Sequence, residues 1–241
     1  FGADEMLHGN NPTQGSELCT AVEMMFSMET ALPITGEVAF ADHLERVAFN
    51  ALPTQATDNY DSRQYYQQAN QVLISRHPRN FNTAYEGTDQ LFGVLTGYPC
   101  CTSNMHQGWP KFTQNLWYAT ADKGIAALVY APSKATIKVA ENNSVEVTEQ
   151  TNYPFDENIR FTLKMSSPAK FPFHLRIPAW CKNATVKVNG TEWDQYDGNQ
   201  IIQVKREWKS GDVVELVLPM ELKTQRWHEN SVSIERGPLA Y

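Results

Sequence analysis

The stretch Gly97-Tyr98-Pro99-Cys100-Cys101-Thr102-Ser103-Asn104 decides how the rest of the chain is read. It carries two of only four cysteines, side by side, directly after a Gly-Tyr-Pro turn signal. Far upstream, Gly15-Ser16-Glu17-Leu18-Cys19 sets a third cysteine two residues from a carboxylate. Adjacent cysteines strain badly as a mutual disulfide, and on an extended segment their side chains leave on opposite faces. Three thiols and one carboxylate are the donor types and number of a tetrahedral zinc site, with Glu17, Cys19, Cys100 and Cys101 as the ligands. Ordinary buried thiols account for the same residues equally well, because a lone Cys-Cys and a lone Glu-x-Cys are weak patterns.

Working outward, residues 1–14 read as a loop rich in Gly, Asn and Pro, with Ser16 as a helix N-cap and Glu17 in the first turn. Val22, Met25, Phe26 and Glu29 then follow helical spacing to about Leu32-Pro33. A second helical pattern opens at Gly36 and runs through Val38, Phe40, Ala41, Leu44 and Val47 to Leu52-Pro53. The two form an antiparallel hairpin, the building unit of an α/α barrel. From Thr54 to Pro99 the chain is polar and aromatic, as a loop shaping a sugar pocket would be; a variable surface excursion is the plainer reading. A third helix is expected over Met105–Ala119, with Pro110 limiting its start or kinking it.

Beyond Asp122 the periodicity changes to short alternating runs such as Val145/Val147 and Val186/Val188, with turn signals Asn142-Asn143, Asn189-Gly190 and Asp197-Gly198 between them. That is the pattern of a β-sandwich. The expected fold is therefore α plus β and multidomain, with a helical part over residues 1–121 and an all-β part over 122–241.

With 41% hydrophobic and 11% aromatic residues the chain can bury a core. A formal net charge of −7 and the lack of a Lys/Arg run argue against a nucleic-acid partner. No apolar run in the sequence is long enough to span a membrane. Four cysteines are too few for a disulfide framework, which leaves a reducing compartment or protection by a metal. The first residue is Phe1, with no leader sequence before it, so the start is expected not to be the natural one.

Several motifs, taken together, resemble the bacterial β-L-arabinofuranosidases of glycoside hydrolase family 127 and their DUF1680 relatives. Glu17-x-Cys19 followed by Cys100-Cys101-x-x-Asn104 is similar to the family's cysteine signature. Phe1-Gly2-Ala3-Asp4-Glu5 resembles the Gly-x-x-Glu segment before it, and Leu44-Glu45-Arg46-Val47-Ala48-Phe49-Asn50 resembles the LERxxxN helix. Leu175-Arg176-Ile177-Pro178-Ala179-Trp180, Val188-Asn189-Gly190 and Arg236-Gly237-Pro238-Leu239-Ala240-Tyr241 resemble segments of its β region. The match runs along nearly the whole chain.

The resemblance implies that the helices are the last ones of an (α/α)6 barrel, followed by a sandwich that is itself cut short. It implies a retaining glycosidase acting on β-L-arabinofuranose or a related sugar of plant-type glycans, with Zn2+ as cofactor. Cys100 would be the nucleophile and Glu5 the acid/base, with Asp4 as fallback. Glu45 would contact a substrate hydroxyl, although on its helix it could equally be a solvent-face charge. His77 and His106 are candidate sugar contacts, against the ordinary reading of a lone histidine as structural or surface. Asn104 reads as a helix cap or ligand contact, and Cys181 as a buried core thiol. The rival function is a non-catalytic, zinc-stabilised fragment or carbohydrate-binding module derived from such an enzyme. A homo-oligomer through the β domain is left open, and bacterial cytoplasm and periplasm are the compartments consistent with the family.

Overall fold

The computed structural model describes residues 15–69, 71, 73–77, 87–141 and 143–241. Its first element is a short strand, β1 (Ser16–Glu17), followed by helix α1 (Leu18–Thr35). Neither Ser16 nor Glu17 plays the helical role expected of it. Ser16 pairs in a strand instead of capping, and Glu17 occupies the N-cap position in extended backbone without a side-chain cap bond. The helix also runs past Pro33, which lies in its last turn, where the missing N–H removes a single bond. Gly36 ends it at φ 69°, a left-handed conformation that lets its N–H reach the Leu32 carbonyl.

Helix α2 (Val38–Arg46) continues into a wider π turn over Val47–Ala51 and a 3-10 turn over Pro53–Gln55. Strand β2 (Tyr66–Gln67) pairs antiparallel with β1, Glu17 opposite Tyr66. Helix α3 spans Cys100–Gln114. It therefore begins on the cysteine pair and stops earlier than the expected Ala119. Residues Trp117–Ala119 form strand β3 instead. Pro110 lies inside the helix. Among the described residues no helix is long and apolar enough to cross a membrane.

The remaining chain is sheet. The strands are β4 (Ile125–Ala127), β5 (Ser133–Val139), β6 (Asn143–Thr151), β7 (Asn158–Met165), β8 (Ala169–Ile177), β9 (Ala184–Val188), β10 (Thr191–Tyr196), β11 (Gln200–Trp208) and β12 (Val213–Val217). One sheet has the order β10-β9-β12-β7-β6-β5 and a second the order β11-β8-β4-β3. Val145, Val147, Phe161, Val186 and Leu216 of the first meet Phe173, Leu175, Val204 and Trp208 of the second in one apolar core. Phe161 and Phe173 cross between the sheets edge to face, 5.2 Å apart. Cys181 is buried in this core. A third sheet, β13 (Leu222–Arg226), β14 (Val232–Arg236) and β15 (Leu239–Ala240), follows.

A second core lies under the helices, where Leu18, Val22, Met25, Leu32, Leu44, Ala48, Cys101 and Phe112 pack together. Strand β4 closes this core too. Ile125 and Ala127 face the core between the sheets, while Ala126 faces the helices. Alternation along one strand thus feeds two cores, and all three of its residues are buried.

Candidate metal centre

The cysteine pair stands in the first turn of α3. Successive helical residues are about 100° apart, so both side chains can reach one site, as they could not from an extended strand. Gly97 makes the approach feasible. Its φ is 59°, and a Cβ there would lie 2.3 Å from the Tyr65 Cβ. The other half of the site comes from β1 and the first turn of α1, fastened by the β1–β2 pairing and by the Leu18 N–H to the Tyr65 carbonyl, 3.1 Å.

Glu17, Cys19, Cys100 and Cys101 converge, with their donor atoms all within 4.8 Å of one another. Cys19 Sγ is 3.2 Å from Cys100 Sγ and 3.1 Å from Cys101 Sγ; the adjacent pair is 4.0 Å apart. Glu17 Oε1 lies 3.7 and 3.8 Å from the sulfurs of Cys100 and Cys101. No two sulfurs approach bonding distance, about 2.05 Å. Donors held 2.0–2.3 Å from a tetrahedral zinc would stand about 3.5–3.8 Å apart, and the observed spacings bracket that range. Glu17 and Cys101 are buried, while Cys19 and Cys100 are half-buried.

The electrostatics favour a cation. Burial pushes the Cys100 thiol up to about 12, and Cys19 and Glu17 add to the effect. Contact with Cys19 and burial raise Cys101 as well. Cys19 alone is lowered, first by its contact with Cys101 and also by a hydrogen bond with the Asn104 side chain. The raised thiols of Cys100 and Cys101 hold their protons unless a cation replaces them, and three sulfurs with one carboxylate suit zinc. Asn104 lies inside α3, so it caps nothing; its side chain touches Cys19 instead.

Arg63 was not foreseen from the sequence. It is fully buried, and its guanidinium binds the carbonyls of Val94, Thr96 and Tyr98 just before the pair. The one available signal was that it is the only cation between Arg46 and Arg76.

The remaining candidates lie elsewhere. Glu5 and Asp4 are outside the described residues. His77 and His106 are exposed, and neither joins the cluster. Glu45 is fully buried against the sheet. Its carboxylate takes the Tyr130 N–H at 3.1 Å and the Tyr153 hydroxyl at 2.5 Å, and pairs with Arg176 at 2.6 Å. In place of the expected substrate hydroxyl, its oxygens meet the protein's own donors. Arg176 also pairs with Asp42 and donates to the Leu128 carbonyl at 2.5 Å. Burial works against the Arg176 charge, but Glu45 and Asp42 outweigh it and raise its pKa. The next residue, Arg46, pairs with Glu235 at 2.5 Å, and about one turn further the Asn50 amide holds Pro238 and Ala240. The LERxxxN segment is thus a clasp on the LRIP and RGPL segments.

Comparison with known proteins agrees with this architecture. A family model described as β-L-arabinofuranosidase, GH127 catalytic domain, matches residues 3–114, and one described as the GH127 middle domain matches residues 124–220. No curated protein matches. Among solved structures, the chain is similar to Ara127N-Se, a GH127 β-L-arabinofuranosidase from Geobacillus stearothermophilus T6, with a TM-score of 0.80 and 22% identity over 95% of this chain and 36% of that one. A GH127 β-arabinofuranosidase gives 0.79 at 21% identity, covering 96% of this chain and 38% of the other. A structure described as a glycoside hydrolase gives 0.76 at 25%, covering 95% and 38%. The chain spans little more than a third of the length of these structures. With family-model matches over most of its length and the same fold as these structures, the chain belongs to glycoside hydrolase family 127.

Proposed function

We propose that the chain forms part of a retaining glycoside hydrolase that releases β-linked L-arabinofuranose, or a related pentose-like sugar, from plant-derived glycans. In this reading α1–α3 are the last helices of an (α/α)6 barrel, and the sheets form the domain that follows it. The observation that carries the proposal is the convergence of Glu17, Cys19, Cys100 and Cys101, with Cys100 the half-exposed member of the adjacent pair. Zinc bound by these four would draw the proton from the Cys100 thiol and leave a thiolate at neutral pH.

Cys100 sits where a helix N-terminus favours negative sulfur. Its Sγ attacks the anomeric carbon, and the glycosidic electron pair leaves on the aglycone oxygen, which takes a proton from a carboxylic acid. Water, deprotonated by the same carboxylate, then attacks the anomeric carbon and displaces the Cys100 sulfur. Two inversions give net retention. Glu5 is the candidate carboxylic acid. Cys101, buried and packed among Leu18 and Val22, is the anchoring member of the pair.

A thiol-directed L-arabinofuranosyl electrophile, followed by peptide mass spectrometry, tests the reading. The label should fall on Cys100. Sugar on Glu5, Glu17 or Glu45 would mean a carboxylate nucleophile and a cysteine cluster that is only structural.

A further inference from the structure

We infer that Arg63 is the positioning residue of the cysteine pair: its buried fork fixes the loop that delivers Cys100 and Cys101 and places a permanent positive charge beside the donor set. The inference rests on the zinc reading of the cluster, and it starts from geometry. Nη2 of Arg63 donates to the Val94 carbonyl at 3.1 Å and to the Tyr98 carbonyl at 2.9 Å; Nη1 donates to the Thr96 carbonyl. Nε donates to the Thr102 hydroxyl at 3.1 Å, one residue past the pair. A single side chain therefore grips the backbone before Cys100-Cys101 and a side-chain hydroxyl just after it.

The segment that carries Arg63 is tied to the other half of the site. Three residues on, β2 pairs with β1, which holds Glu17. The Tyr65 carbonyl receives the Leu18 N–H next to Cys19. Two ligand pairs about 80 residues apart in sequence are thus held in register through residues 63–67.

Charge points the same way. A guanidinium keeps its proton, and burying one without an opposite charge is costly. Its hydrogen-bond acceptors are neutral, and among the described residues no carboxylate forms an ion pair with it. Burial disfavours its charge, and the groups that counter this are led by Cys101, Cys100 and Cys19. On the other side of the account, a dication bound by three thiolates and one carboxylate still leaves a net negative site, which a fixed cation compensates.

The test uses this chain with Arg63→Met, Arg63→Lys and Thr102→Val. Zinc affinity is read by competition with a chromophoric chelator, and amide hydrogen exchange is read along the chain in metal-free protein. Wild type should bind one zinc. Arg63→Met should bind it about 10–100-fold more weakly, as loss of a supporting residue around metal ligands does. Exchange should also quicken over residues 94–102, where the fork holds the backbone, with little change elsewhere. Arg63→Lys keeps the charge without the fork, so it should weaken zinc by about tenfold or less and quicken exchange there less than Arg63→Met does. Thr102→Val should weaken zinc a few-fold. Zinc affinity of Arg63→Met within twofold of wild type, with unchanged exchange over residues 94–102, overturns the inference. If wild type binds no zinc, the metal reading fails, and the exchange pattern still decides whether Arg63 fixes the loop. If circular dichroism shows Arg63→Met unfolded, the lysine and Thr102 variants decide, and wild-type behaviour in both overturns the inference.

Discussion

Replacing Arg176 by methionine removes the cation from a fully buried cluster and leaves the Glu45 carboxylate in place with no exposure to water. Glu45 would keep the Tyr130 N–H and the Tyr153 hydroxyl, but those two bonds do not neutralise a charge. Asp42 loses its partner as well, though it is partly exposed and recovers some hydration. The Leu128 carbonyl loses a donor. Breaking a buried pair from one side costs about 3–5 kcal/mol. For a chain of this size that corresponds to a fall in melting temperature of about 6–20 °C. Thermal and urea unfolding at pH 7, followed by far-ultraviolet circular dichroism, measure it. The double variant Glu45→Gln, Arg176→Met should recover part of the loss, because it removes the stranded charge. A loss below about 1 kcal/mol in the single variant, or a double variant less stable than Arg176→Met, would falsify the claim that the pair is desolvated.

Zinc should be found at one equivalent per chain by elemental analysis, and Cys101→Ala or Glu17→Gln should lose it, whereas Cys181→Ser should retain it; equal zinc in all of them would remove the assignment of ligands. Gly97→Ala should lower zinc affinity at nearly constant helical signal, since its new methyl meets Tyr65; unchanged affinity would show that the loop adapts freely. Burial pushes Glu29 up to about 7 from an ordinary 4.5, with Lys111 pulling the other way. A carboxyl raised in the folded state binds its proton more tightly there, so its contribution is fully present below pH 4.5 and is lost as the pH rises through 7. Glu29→Gln should therefore stabilise the protein at pH 8 by about 1–3 kcal/mol and change little at pH 4; equal shifts at both values would refute the burial argument.

The cluster was legible because thiols are scarce and their chemistry is narrow. Glu17, Cys19, Cys100 and Cys101 announce themselves by type even across a long separation. The clasp was not legible. Glu45 and Arg46 look like any helical charge pair until their partners Arg176 and Glu235 arrive from the sheets. Burial, not residue type, sets Glu45 apart. Strand β10 carries no such signal, because nearly all of its side chains are exposed and no alternation marks it. Helix α3 starts on the cysteines without a capping side chain, which is why its beginning was placed too late.

The position of β4 has a consequence for how the molecule comes apart. Composition changes near residue 121, and a cut there would seem to release two independent pieces. Yet Ala126 faces the helices while Ile125 and Ala127 belong to the core between the sheets, so the partition between the two is one strand thick. A helical fragment that ended at the compositional break would lack its floor, with Leu18, Leu44 and Phe112 of its core opened to water. A sheet fragment that kept the strand would expose its helix-facing side, with Leu128 and Val129 just beyond it, and leave Arg176 without Asp42 and Glu45. Both halves should consequently melt in a single transition, and a useful cleavage site in this chain must be sought somewhere other than the place where its sequence changes character.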